Sequence, residues 1–356
     1  MDEKLNLALA KLTHGMEEAS QRHLGFLMCV FELKDGELLI TEGKHAASMI
    51  IVYSGALRVT VGQGKQRIEL PEIKSGEWVG EISLLDPGPA SANVRTCGAT
   101  TILEFSHQAL LAFIKKHPAG ALHLLSSLAR DLAGRLNRTS EGLVQLGRTG
   151  LELVAPAPTD EAGMITTMLQ LLNRGGGVDN NPALAAQPGK AGAPSETRTL
   201  ESLDFFKLLS PQQVEKLRVA MPVKEHRKGH VFWKAGSRIG DDRCAVIFIL
   251  EGQVSVATET AQVSQVPVAR VLQPGEIFGL VTFLNAKVHS ATCRAATPVR
   301  AAVMTRSEFD KLSQSDIALA SAFMYAIARQ LARDVRACNN RLVTAITSGP
   351  ATKTAK

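Results

Sequence analysis

Few residues in this chain stand at spacings that do chemistry. His226 and His230 are four apart, the interval at which two imidazoles share a metal on one helix face. Here Gly229 lies between them at a strand-entry turn and no acidic third ligand stands near, so they read as exposed turn histidines. His117 and His123 flank Pro118-Ala119-Gly120 at a helix start and read as caps or surface residues. The five cysteines, Cys29, Cys97, Cys244, Cys293 and Cys338, are scattered and form no Cys-x-x-Cys. An odd number of distant thiols fits a reduced compartment and small apolar core residues better than a disulfide framework. Gly-x-Ser-x-Gly, a phosphate-binding Gly-x₄-Gly-Lys and a Cys–His nucleophile pattern are all missing. The reading is a non-enzyme without metal or cofactor. Arg329, Arg333, Arg336 and Arg341 fall mostly off the apolar stripe of the last helix and read as a solvated face or as contacts to an acidic partner.

The elements that must position these residues are bounded by length and composition. At 356 residues the chain has room for about two domains. Hydrophobic residues make up 45 %, enough for ordinary cores. Forty Lys and Arg against 34 Asp and Glu give a formal charge of +6 and a pI near 9.1, too mild for a dedicated nucleic-acid binder. Two Trp and two Tyr argue against a base-stacking platform. No apolar run approaches about 18 residues, and Met1-Asp2-Glu3-Lys4 does not open a signal peptide. The expectation is a cytoplasmic chain that does not engage a membrane.

Residues 151–197 break the composition, opening on Ala155-Pro156-Ala157-Pro158 and continuing through Gly175-Gly176-Gly177. Such sequence reads as a flexible linker. Inside it, Met164, Ile165, Met168, Leu169, Leu171 and Leu172 predict a short helix over Thr159–Arg174. The flanking halves repeat each other. Gly36 and Gly229, and likewise Gly43 and Gly236, lie 193 positions apart; Gly55 matches Gly252, and Gly76 and Gly80 match Gly275 and Gly279. The chain is a duplication with small insertions in turns.

Each half carries β-branched-rich runs punctuated by glycine: Ser48–Tyr53, Ala56–Val61 and Thr101–Phe105, then Ala245–Leu250, Gln253–Ala257 and Arg300–Met304. These predict antiparallel strands of a jelly-roll-like barrel. A helix follows each. Leu122, Leu125, Leu128, Leu132 and Leu136 mark the first; Met324, Ile327, Leu331, Val335, Cys338, Leu342 and Ile346 mark the second at near-heptad spacing.

This grammar resembles the cyclic nucleotide-binding domain family of bacterial catabolite activator proteins and of the regulatory subunit of protein kinase A. The resemblance covers about residues 25–148 and 200–347. It rests on the glycine-punctuated strands, on Phe205-Phe206-Lys207-Leu208-Leu209-Ser210-Pro211-Gln212-Gln213-Val214, and on Gly80 to Val94, which aligns with the family's phosphate-binding cassette. The resemblance implies an α+β, mainly β fold: two tandem jelly-roll-like cyclic nucleotide-binding β-barrels, each followed by a long helix. The domain reading is 1–150, a linker over 151–197, a second domain over 198–348 and a disordered tail over 349–356.

In the family, the cassette offers helix N–H groups and one Arg to a cyclic phosphate, and a Glu takes the ribose hydroxyl. Here Glu81 keeps the Glu position, but the Arg position is Ala90. In the second half these positions are Leu280 and His289. The implied pocket is degenerate: Gly80, Glu81, Ile82, Ser83, Ala90, Ser91 and Ala92 in the first half, and Gly279, Leu280, His289, Ser290 and Ala291 in the second. Arg95 and Arg294 stand two to three strand positions on, where alternation directs them away from a pocket. A lost charge partner costs about 2–5 kcal/mol, which takes a micromolar site toward millimolar.

Only ten residues follow Ile346, too few for the helix-turn-helix of the activator branch, so DNA is not expected as a partner. The expectation is a bacterial, non-enzymatic adaptor or scaffold acting on an unidentified protein partner. It would also pair with a second copy along a seam of Leu331, Val335, Cys338, Leu342 and Ile346. The rival reading is a receptor that takes a cyclic nucleotide weakly, or a cyclic dinucleotide, through Glu81 and His289.

Overall fold

The computed structural model describes residues 9–10, 12–62, 67–149, 199–238, 244–257, 269–285, 289 and 291–347. The expected linker helix and the tail lie outside these residues. By their contacts the described residues form two units, one drawn from 1–181 and 328–356 and the other from 182–327.

The first unit opens on α1 (Glu18–Phe26) and β1 (Cys29–Leu33), followed by β2 (Leu38–Ile40), β3 (His45–Ala46) and the long β4 (Ser48–Val61). Then come the short β5 (Ile68–Glu69), β6 (Ile73–Lys74) and β7 (Trp78–Val79), α2 (Glu81–Leu85), β8 (Gly88–Pro89) and β9 (Asn93–Ser106). Helices α3 (His107–Lys116) and α4 (Pro118–Thr149) close it. All pairings are antiparallel: β4 lies between β9 and the short strands β5, β6 and β7, and β1 pairs the other side of β9. The two runs expected at Ser48–Tyr53 and Ala56–Val61 are one strand, with its register shifted around Ser54.

The second unit repeats the plan after α5 (Pro211–Ala220) with β10 (Val223–His226), β11 (Val231–Trp233), β12 (Ala245–Glu251) and β13 (Val254–Ala257). It continues through β14 (Ala269–Leu272), β15 (Ile277–Phe278), α6 (Leu280–Asn285), β16 (Thr292–Ala295), β17 (Val299–Thr305), α7 (Arg306–Ser315) and the first part of α8 (Ile317–Thr347). Its described strands make two four-stranded antiparallel sheets, β10-β17-β12-β15 and β11-β16-β13-β14. The mixed, mainly antiparallel jelly-roll reading holds.

Why these strands are nearly all apolar follows from where their two faces go. In β12, Ala245, Ile247 and Ile249 point into an inner core with Val254, Leu272, Phe278 and Cys293. Phe248 points the other way, its ring 4.9 Å from Phe205, 5.2 Å from Phe206 and 6.4 Å from Phe323 of α8. In β4, Ile50 and Val52 face the inner core with Leu57, Val59 and Ile102, while Met49 and Ile51 are buried on the opposite face. Each such side chain contributes about 1.5–3 kcal/mol of burial. The outer helices start on matched hydroxyl caps: Ser106 accepts from the Ala109 N–H and Thr305 from the Glu308 N–H, each cap worth about 1 kcal/mol.

The duplication holds at backbone level. The glycine pairs 36/229, 43/236, 55/252, 76/275 and 80/279 all have positive φ. At Gly80 and Gly279 the requirement is also steric, since a Cβ would lie 2.6 Å from the Ser48 carbonyl oxygen and 2.2 Å from that of Ala245.

Of the seam residues, Val335 and Cys338 are 2 % and 9 % exposed, and Leu331 is fully buried within the single chain. The reason is that α8 from Ala328 onward groups with the first unit instead of ending free. The side chains of Leu342 and Ile346 lie outside the described residues.

Candidate functional site

Each cassette begins at the left-handed glycine that ends a short strand and starts a short helix: Gly80 before α2 and Gly279 before α6. Its far end is fixed by the backbone. Gly43 donates to the Ala90 carbonyl and Ala90 to that of Lys44, both at 2.8 Å. The same exchange ties His289 to Gly236 at 2.8 Å and to Ser237 at 3.1 Å. Ala90 and His289 therefore occupy one structural position, as the sequence alignment has them.

In the first cassette Glu81 and Ser83 are buried, and Ile82, Ala90, Ser91 and Ala92 are half-buried. Ala92 packs on the inner aliphatic core. Glu81 is not idle. Its Oε1 accepts from Arg135 Nη1 of α4 at 2.9 Å, and Arg135 also meets Asp131 at 3.1 Å. This pairing escapes a sequence reading, since only the Asp131–Arg135 spacing of four is visible there.

In the second cassette Leu280 is buried and His289 is 1 % exposed. The His289 ring stacks on Trp233 with centroids 4.8 Å apart and planes 11° apart. Trp233 also meets Phe278 at 5.3 Å. A Cβ on Gly279 would lie 3.0 Å from the far edge of the Trp233 indole, so that ring covers the start of the cassette helix. The first unit has Ile40, Val79 and Ala90 where the second has Trp233, Phe278 and His289. Three rings thus stand where the first unit has small and aliphatic side chains. Ala291 is half-buried, and Ser290 lies outside the described residues. Burial pushes the Cys293 thiol in this core up to about 12, against a smaller opposing hydrogen bond from Trp233.

Arg95 and Arg294 do not replace the missing guanidinium. They hold the Gly36 and Gly229 carbonyls at 3.0 and 3.1 Å, matched turns outside the cassettes. Among the described residues no group of three His, Cys, Asp or Glu could hold a metal. His226 ends β10 half-buried, its ring 4.5 Å from that of exposed His230. Only His230 fits the exposed turn histidine expected at both positions.

The cyclic nucleotide-binding domain profile matches residues 30–117 and 223–316, just over half of the chain. The chain belongs to the cyclic nucleotide-binding domain family. It is 27 % identical over 170 residues to the CRP-like cAMP-activated global transcriptional regulator of Mycobacterium tuberculosis, covering 45 % of this chain and 74 % of that protein. It is 32 % identical over 129 residues to the cyclic AMP receptor protein of Thermus thermophilus, covering 33 % of this chain and 60 % of that one. A 28 % match over 134 residues to glutaminase 1 of Bradyrhizobium diazoefficiens spans 38 % of this chain but only 21 % of the enzyme. Among solved structures, the regulatory domain of Toxoplasma gondii PKA with cAMP is similar at 17 % identity, over 88 % of this chain and 94 % of that one, with a TM-score of 0.30. Membership in this family points to a regulatory or ligand-binding role. No helix among the described residues is long and apolar enough to cross a membrane.

Proposed function

We propose that this chain is a non-catalytic regulatory adaptor of the cytoplasm, in which two degenerate cyclic nucleotide-binding domains act by binding another protein. The observation that carries the reading is the second cassette, where the Trp233–His289 stack fills the space in front of the helix start. The first cassette supports it: Ala90 offers no charge to a phosphate, and Glu81 is engaged by Arg135. DNA and membranes are not partners in this reading.

A second reading, a weak small-ligand receptor, has one feature in its favour. Ile40, Val79 and Ala90 leave the first cassette less filled than the second. Titration calorimetry of the intact chain with cyclic AMP and cyclic GMP separates the two. The adaptor reading expects no saturable binding tighter than about 100 μM, given the cost of the missing guanidinium. Low-micromolar binding at one site per chain would replace it with the receptor reading.

A further inference from the structure

Asp86 follows α2 directly and closes the helical part of the first cassette. Its carboxylate is almost wholly withdrawn from water, with 11 % of the side chain exposed. Three guanidiniums converge on it. Arg329 Nε and Arg333 Nε donate to Oδ1 at 2.9 and 3.2 Å, and Arg336 Nη1 donates to Oδ2 at 2.6 Å. Arg336 Nη2 also donates to the Asp86 carbonyl. The arginines are four and three apart, which sets them on one face of α8. Arg336 further lies over Gly88, where a Cβ would stand 3.5 Å from the guanidinium.

This arrangement owes nothing to local sequence, because Asp86 is 243, 247 and 250 positions from its three partners. One negative charge holds three positive ones, and Arg336 and Arg329 are themselves only 15 % and 24 % exposed. Without the carboxylate, three like charges would crowd one half-buried face of the helix. The same stretch of α8 carries Leu331, Val335 and Cys338, all buried.

We propose that Asp86 is a latch by which the first cassette holds the C-terminal half of the last helix, so that a displacement of Asp86 frees the helix and uncovers its apolar stripe. Cys338 is a built-in reporter, since its thiol is shielded while the helix is docked. The test is maleimide labelling of the full chain, read cysteine by cysteine by mass spectrometry, with hydrogen exchange of β4 and β9 recorded alongside. Asp86→Asn keeps the shape and removes the charge; labelling of Cys338 is expected to accelerate at least tenfold while buried Cys293 and the β4 and β9 amides stay protected. Arg333→Gln with Arg336→Gln, which leaves Asp86 paired to Arg329, covers the case in which the first variant unfolds, and it is expected to accelerate Cys338 in the same way. Cys338 labelling at the wild-type rate in the folded variants would overturn the latch. So would acceleration that comes only together with loss of protection in β4 and β9.

Discussion

A single methyl group separates the first cassette from a cation. Ala90 is tied to Gly43 and Lys44 through its backbone, so its side chain can change without disturbing those bonds. Ala90→Arg is therefore expected to add a charge-assisted contact to a cyclic phosphate, worth about 1.5–3 kcal/mol. At about 1.4 kcal/mol per decade, affinity for cyclic AMP should rise at least tenfold by calorimetry. The counterpart His289→Arg should gain nothing, because it would break the stack on Trp233 and bring a guanidinium into a core of Phe278, Val254 and Cys293. Equal gains at both positions would show that the two cassettes do not differ as their rings imply. Ala90, Glu81 and His289 were legible in the sequence because they sit in a motif with fixed spacing. Asp86 and Arg135 were not, because their partners lie far along the chain or across the fold, and no local pattern marks an ion pair of that kind.

Among the elements, the strands were the most legible and the short cassette helices the least. Glycines with positive φ punctuate the β-branched runs, so β12 and β17 fall where the runs do, while β4 and β9 run on through Gly55 and Gly98. The filling of the second core was harder to see. Trp233 was visible as a residue, but its lie across the cassette depends on β11 pairing with β16. At the end of neighbouring β10, His226 carries a testable consequence. Burial holds its pKa below the usual 6.5, with the charges of His230 and Lys224 adding to the effect, and its Nε2 is buried without a hydrogen-bond partner. A folded pKa below the unfolded one means that the unfolded chain binds the proton more readily. The penalty is absent above 6.5 and grows as pH falls from there toward the lowered folded value. His23 behaves likewise in the first unit, again chiefly through burial, with His117 and Lys116 assisting. Thermal melts at about pH 7.5 and about pH 5.5 should show a lower midpoint in acid. His226→Asn should remove the second unit's share of that drop and leave the share due to His23. An unchanged acid shift in the variant would mean that His226 is not desolvated in solution.

At the scale of the whole molecule the decisive stripe is that of α8, whose described part is buried within one chain. Of the seam residues, Leu331, Val335 and Cys338 are already buried within one chain, while the side chains of Leu342 and Ile346 lie outside the described residues. The hydrophobic gain available to a second copy at these positions is thus largely spent. Light scattering of the wild type at about 50 μM should return the mass of one chain, since a dimer built on this stripe would first have to give up those contacts. Leu331→Asp separates the alternatives. If the stripe packs internally, the variant brings a charge to a site with no exposure and loses about 3–5 kcal/mol, read as a fall in the melting midpoint with no change in mass. If the stripe joins two copies, the wild type scatters as a dimer and the variant becomes a monomer whose units melt as before. The first outcome is the one expected from Leu331, Val335 and Cys338 being buried in their own chain and from Arg329, Arg333 and Arg336 being held by Asp86.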